Sequence, residues 1–204
     1  MMKKLRNHSG FSLVEMLAAI AVLVLLIVGM DAGINAGIRA YSDAIFESNS
    51  AALAGILNSA VGDILRYSDD IEINPALDPR NHNVSGFKDS QGHDLPPEKV
   101  PFVFSNFEYN IRGGYFYVQE YRDGTNHGVL QLKNLSTRDV REVVNTGAYP
   151  DLEIADFKIS YVAPDPHTPE PENYFNVEYK ILDLKKEGRS RDVKYTVRLL
   201  NPEG

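Results

Sequence analysis

The sequence predicts an α+β fold in which a long N-terminal helix packs on an antiparallel β-sheet. Residues 11 to about 66 contain no proline, and their apolar run passes into apolar residues at steps of mostly three and four. This spacing is typical of a helix. From Phe102 onward, apolar and polar residues alternate over several segments. Such alternation indicates strands with one buried face and one face in water, as in an antiparallel sheet.

The beginning of the helix carries an unusual charge. The segment from Phe11 to Met30 has about the 20 residues that a bilayer-spanning helix needs, and Glu15 is its only charged residue. A carboxylate inside a membrane is costly and therefore suggests a function and a charged partner. A capping box, with Ser12 as the N-cap and Glu15 at N3, is the simpler explanation. It does not account for the sharp change from polar to apolar residues at Gly10 and Phe11.

The order of these features resembles the processing site of type IV prepilins and of the pseudopilins of type II secretion systems. A short basic leader precedes Gly10-Phe11-Ser12-Leu13-Val14-Glu15, and the apolar run follows. The resemblance, to a class III prepilin-like N-terminus, implies cleavage between Gly10 and Phe11 by a prepilin peptidase and N-methylation of Phe11. It also implies that Glu15 pairs with the new Phe11 amino group, in its own chain or in a neighbour, during filament assembly.

The resemblance and the charge pattern together predict three parts of the chain. These are a leader at 1–10, a helix at 11–67 whose residues 11–30 cross the membrane, and a β-rich head at 68–204. Lys3, Lys4 and Arg6 precede the apolar run, so the positive-inside rule places the N-terminus in the cytoplasm and the head outside the inner membrane. The expected partners are the lipid bilayer, other subunits along helix 11–65 and an inner-membrane assembly platform.

Two alternatives fit part of this pattern. An ordinary secretory signal shares the basic start and the apolar core, but residues 29–33 lack a clear A-x-A cleavage pattern. A single-pass anchored binding module that does not polymerise would keep its leader.

The second half of the helix is predicted to be amphipathic and to cover the sheet. Three glycines, Gly29, Gly33 and Gly37, recur every four residues where the two halves meet. Small residues at this spacing permit close helix packing in membranes, or they are incidental. The apolar face contains Ile34, Ile38, Tyr41, Ile45, Leu53, Ile56, Leu57, Val61, Ile64 and Leu65.

In the head, a turn-rich connection over about 74–101 precedes the strands. A hairpin is predicted around Arg112-Gly113-Gly114, followed by a strand at 129–132 and a segment at 139–144 that fits a strand or a short helix. Three alternating strands follow at 157–161, 175–181 and 193–199. Their order resembles the larger, J-type minor pseudopilins, and the long loops favour a minor subunit over a major one.

No pattern of residues predicts catalysis, a metal or a cofactor. The chain has no cysteine and a net charge of −7, which excludes disulfides and makes nucleic acid an unfavourable partner. The five histidines lack metal-like spacing, and the acidic group Asp69, Asp70, Glu72 and Asp78 lacks the calcium-loop pattern. The proline-rich segment 163–172 is expected to be an extended linker or a partner-binding loop.

Overall fold

The computed structural model describes residues 12–77, 86–88, 92–120, 127–162 and 173–200. It confirms the predicted α+β class, because one long helix is followed by an antiparallel sheet. The chain divides into two units, residues 1–47 and 48–204. The elements are α1 (Leu13–Arg66), β1 (Asp69–Ile73), β2 (Phe102–Asn106), β3 (Ile111–Glu120), β4 (His127–Asn134), β5 (Val140–Glu142), β6 (Leu152–Val162), β7 (Tyr174–Asp183) and β8 (Ser190–Arg198).

The apolar side chains in the first part of α1 are exposed. Large apolar residues from Leu13 to Met30 are more than half exposed. The helix is long and apolar enough to cross a membrane, and none of its most apolar window is buried. Such a surface needs lipid or other helices as its environment.

The last turns of α1 supply one side of the head's core. Leu53, Leu57, Val61 and Leu65 recur every four residues and are completely buried, as expected for one face of a helix. The predicted apolar face is therefore correct in this part. It is wrong for Ile56, which is exposed, and Ile34, Ile38, Tyr41 and Ile45 are exposed as well.

The C-terminal end of α1 is capped by tertiary contacts. The carbonyl of Ile64 accepts hydrogen bonds from Asn106 Nδ2 at 2.8 Å and from Ser68 Oγ at 2.9 Å. The carbonyl of Arg66 accepts one from the backbone N–H of Leu200 at 3.0 Å. The last carbonyls of a helix lack partners within it, so these contacts tie the helix end to β2 and to the segment after β8.

The sheet has the strand order β1-β2-β3-β4-β6-β7-β8, and β5 pairs with β4 outside this path. In the described residues, the β4–β6 ladder contains two pairs, His127 with Ala155 and Gly128 with Ile154. Farther along, β5 pairs with Gln131–Lys133 of β4. The sheet therefore consists of two halves, β1–β5 and β6–β8, that are joined at one short ladder.

Aromatic side chains fill the space between the two halves. Phe102 of β2 lies 5.1 Å from Phe175 of β7, measured between ring centroids, and Phe116 of β3 lies 6.2 Å from Phe157 of β6. Aromatic pairs at such distances stabilise the folded head beyond what the burial of their apolar surface alone contributes. The Tyr179 hydroxyl donates to Asn58 Oδ1 of α1 at 2.8 Å, and its burial raises the pKa of this tyrosine.

The first hairpin turns earlier than predicted. Residues 107–110 form the turn, in which Asn106 Oδ1 accepts the N–H of Tyr109 at 3.1 Å and Asn110 adopts a left-handed φ of 53°. Gly113 and Gly114, predicted to lie in the turn, belong to β3. Gly114 pairs with Phe104, and a Cβ there would overlap Cγ2 of Ile111. The glycine therefore permits a close approach within the ladder.

A β-bulge keeps the apolar side chains of β6 on one face. Asp156 and Phe157 together lie opposite Tyr179, because Ala155 pairs with Lys180 and Lys158 with Glu178. Asp156 adopts a φ of 52°. An extra residue reverses the alternation of side chains, so Ile154 before the bulge and Ile159 after it face the same side.

Several elements differ from the sequence prediction or complete it. The strand β1 directly follows the helix, at residues for which the sequence predicts no strand. The ambiguous segment at 139–144 contains the strand β5.

In the 74–101 connection, Asn74 Nδ2 donates to the carbonyl of Val100 at 2.9 Å, and Phe87 and Leu95 pack on a cluster of Val100, Val103 and Tyr115. This part of the connection is therefore packed on the sheet.

The close approach at Gly114 leads to a testable prediction. Gly114→Ala should destabilise the head by about 1–3 kcal/mol, because the added methyl group overlaps the buried Ile111 side chain. Gly55→Ala in α1 is the control. It meets no atom within 4 Å and should stabilise the helix by up to about 1 kcal/mol. Urea unfolding measures both effects, and equal stability of the Gly114→Ala variant and the parent chain would contradict the prediction.

Candidate functional site

The start of α1 contains a complete capping box. The backbone N–H of Ser12 donates to Glu15 Oε2 at 2.9 Å, and the N–H of Glu15 donates to Ser12 Oγ at 3.2 Å. The N–H of Met16 donates to the carbonyl of Ser12 at 3.2 Å. Two N–H groups that the helix cannot satisfy are thereby paired, and the carboxylate lies at the positive end of the helix dipole.

The capping box holds the carboxylate of Glu15 beside the backbone amide of Ser12. One of its oxygens binds the amide of Ser12, the residue that directly follows Phe11. Gly10 and Phe11, the predicted cleavage positions, lie outside the described residues. A charge at the Phe11 nitrogen would be one residue from the amide that Glu15 already binds.

The predicted glycine stripe faces open space. A Cβ built on Gly29, Gly33 or Gly37 would meet nothing within 4 Å apart from the helix's own backbone. The chain alone therefore gives no steric reason for glycine at these positions. The stripe offers a flat strip on which another helix could approach closely.

The head shows no cluster of catalytic or metal-binding side chains in the residues described. No group of three or more His, Asp or Glu residues there could hold a metal ion. Asp69 and Glu72 are paired along β1 with β2, whereas Asp78 and the proline-rich segment 163–172 lie outside the described residues. Among the histidines, His8, His82 and His167 also lie outside them.

Sequence reasoning missed a cavity beside β6. It has a volume of about 420 Å³ and lies between Pro97–Phe102, the strand β3 and residues Phe157–Ser160 of β6. Its lining comes from segments that are far apart in the chain and carry no common motif. No pattern in the sequence could have located it.

The comparisons with known proteins concern the N-terminal segment. Residues 5–30 match the family model of the prokaryotic N-terminal methylation motif. No match is found among curated proteins or among solved structures. The matched residues contain the capping box and most of the exposed apolar helix surface. Residues 5–30 thus carry a prepilin-like N-terminal methylation motif, and the helix that begins within them is followed by the sheet of an α+β fold.

Proposed function

We propose that the protein is a structural subunit of a filament, either a minor type IV pilin or a pseudopilin of a type II secretion system. The observation that carries the proposal is an uncovered apolar helix surface, most of which lies within the segment that matches the methylation motif. Surfaces of this kind are buried by lipid before assembly and by neighbouring helices after it. The head then lies outside the inner membrane, with the N-terminus on the cytoplasmic side.

The processing step creates the assembly-competent end of the chain. Residues 1–10 are the leader, a prepilin peptidase cleaves between Gly10 and Phe11, and the new Phe11 amino group is methylated. Helix 11–67 contains the membrane span at 11–30 and precedes the head at 68–204. The inner-membrane assembly platform and neighbouring subunits are the partners of this helix.

Glu15 serves two purposes in this proposal. Within the chain its carboxylate caps the helix through the Ser12 amide. Its negative charge pairs with the Phe11 ammonium, in the same chain or in a neighbour, as both enter an apolar helix bundle. A buried carboxylate is tolerable when it is paired, and breaking a buried pair is strongly destabilising.

The two roles of Glu15 are separable by substitution. Glu15→Gln retains an oxygen that accepts the Ser12 N–H, since glutamine also serves at this position of a capping box, but it removes the charge. We expect membrane insertion and cleavage to continue and incorporation into filaments to fall at least about tenfold. Immunoblotting of sheared filament fractions against membrane fractions measures the ratio.

The control is Glu47→Gln, which removes one carboxylate from a later position in the same helix. It should leave incorporation unchanged. If Glu15→Gln were incorporated like the parent chain, capping alone would explain the carboxylate and the pairing role would be wrong.

The glycine stripe is proposed as a packing seam between helices in the filament. Gly33→Leu should reduce incorporation several-fold, because its side chain prevents the close approach that small residues allow, although it meets no atom in the single chain. The control is Ala21→Leu, which lies on a different face of the helix by its 100° rotation per residue. Equal incorporation of the two variants would show that the stripe is incidental.

The cleavage position separates the proposal from its alternatives. N-terminal mass spectrometry of the membrane-extracted parent chain should find a methylated Phe11 as the first residue, and Gly10→Val should retain the leader. A parent chain that keeps its leader would indicate an anchored binding module. A chain that begins near residues 30–36 would indicate an ordinary signal peptide.

A further inference from the structure

A groove runs along one edge of β6. The cavity described above adjoins a second one of about 270 Å³, and five residues line both: Glu98, Lys99, Phe116, Phe157 and Lys158. Four consecutive residues of β6, Phe157–Ser160, form one wall. Successive side chains of a strand point to opposite faces. Lining by a consecutive run therefore indicates that the groove follows the edge of β6, and Asn176 and Glu178 of β7 extend the lining over one face of the two strands.

Among the residues that the structure describes, this edge has no neighbouring strand. The β4–β6 ladder ends at Ala155, the bulge at Asp156 follows, and β5 pairs with the next part of β4. Within the described residues, no strand pairs with Phe157–Tyr161 on the side opposite β7. Along a free strand edge, backbone N–H and C=O groups point outward without partners and can pair with another chain.

The remaining walls suit a polypeptide in extended conformation. The partly exposed Phe157 and the buried Phe116 behind it form the apolar part of the lining for alternate side chains. Five residues of β6 span about 16 Å, which is the length of edge available to an added strand.

Some of the charged side chains along the groove form ion pairs with other residues of the head. Asp156 pairs with Lys180 at 2.9 Å, and Glu178 pairs with Lys194 at 3.0 Å. No ion pair within the described residues involves Lys158 on the β6 wall or Glu98 on the opposite wall. A segment that carries both an acidic and a basic side chain complements these two charges.

We propose that the groove binds an extended segment of a partner protein, which joins β6 as an additional strand. Alternate side chains of the segment are apolar and face Phe116 and Phe157, and the others include charges of both signs. A second copy is the less favourable occupant, because the chain is acidic overall and copies repel each other. The proposal adds a binding site to the head and is independent of the filament role, which uses α1.

The test uses the full chain in detergent micelles with a fluorescent reporter. Ser160→Cys places a single thiol at the groove, since the chain has no cysteine, and an environment-sensitive dye is attached to it. Glu187→Cys, in the exposed β7–β8 turn, is the matched control. The probes are four nonapeptides in which Val, Ile, Leu or Phe alternates with Thr, with one Glu and one Lys at Thr positions.

We expect at least one nonapeptide to bind saturably and to change the emission only at position 160. The same peptide, N-methylated at alternate amides, should bind at least about tenfold more weakly, because it loses several backbone hydrogen bonds. Lys158→Glu should weaken binding about two- to fivefold, as for an exposed ion pair. Hydrogen exchange should show added protection over residues 157–161.

Three results would overturn the proposal. Equal binding of the methylated and unmethylated peptides would mean that only apolar contact matters. Protection of residues 157–161 that rises with protein concentration, without any peptide, would identify a second copy as the occupant. Failure of all four peptides to bind would show that the edge does not accept a strand. None of these results changes the expected outcome of the Glu15→Gln incorporation assay.

Discussion

The head depends on the burial of one face of α1 against a sheet. Leu53, Leu57, Val61 and Leu65 lose all contact with water, and each fully buried aliphatic side chain contributes roughly 1.5–3 kcal/mol. The same helix leaves its earlier apolar side chains uncovered. One continuous helix therefore stabilises the folded head and also carries an uncovered apolar surface that is long enough to cross a membrane.

Three local features of the sheet allow it to pack against this face of α1. The bulge at Asp156 restores the apolar side of β6, Gly114 allows Ile111 to approach closely, and the short β4–β6 ladder lets the two halves face each other across their aromatic side chains. The same ladder leaves Phe157–Tyr161 of β6 without a strand partner on that side in the described part of the chain. The feature that closes the core thus also creates the proposed binding groove.

The two expected roles of Glu15 depend on different atoms. The capping box is a local pattern of spacing, and its two hydrogen bonds appear as expected. The pairing with a cleaved N-terminus involves atoms that exist only after processing, and it remains a proposal. The predicted position of the hairpin turn is wrong because glycine occurs both in turns and where parts of the chain approach closely. Only the position of Ile111 in the structure distinguishes these two cases.

The sequence by itself determined the class of fold, the membrane-compatible helix and the methylation motif, because each depends on periodicity or on residues close together in the chain. Only the tertiary structure decided which part of the helix is buried, where β6 changes its alternation and how Asn106 and Leu200 cap the end of α1. These features depend on contacts between residues 20 or more positions apart, and local spacing carries no information about such contacts. The groove beside β6 belongs to this second group for the same reason.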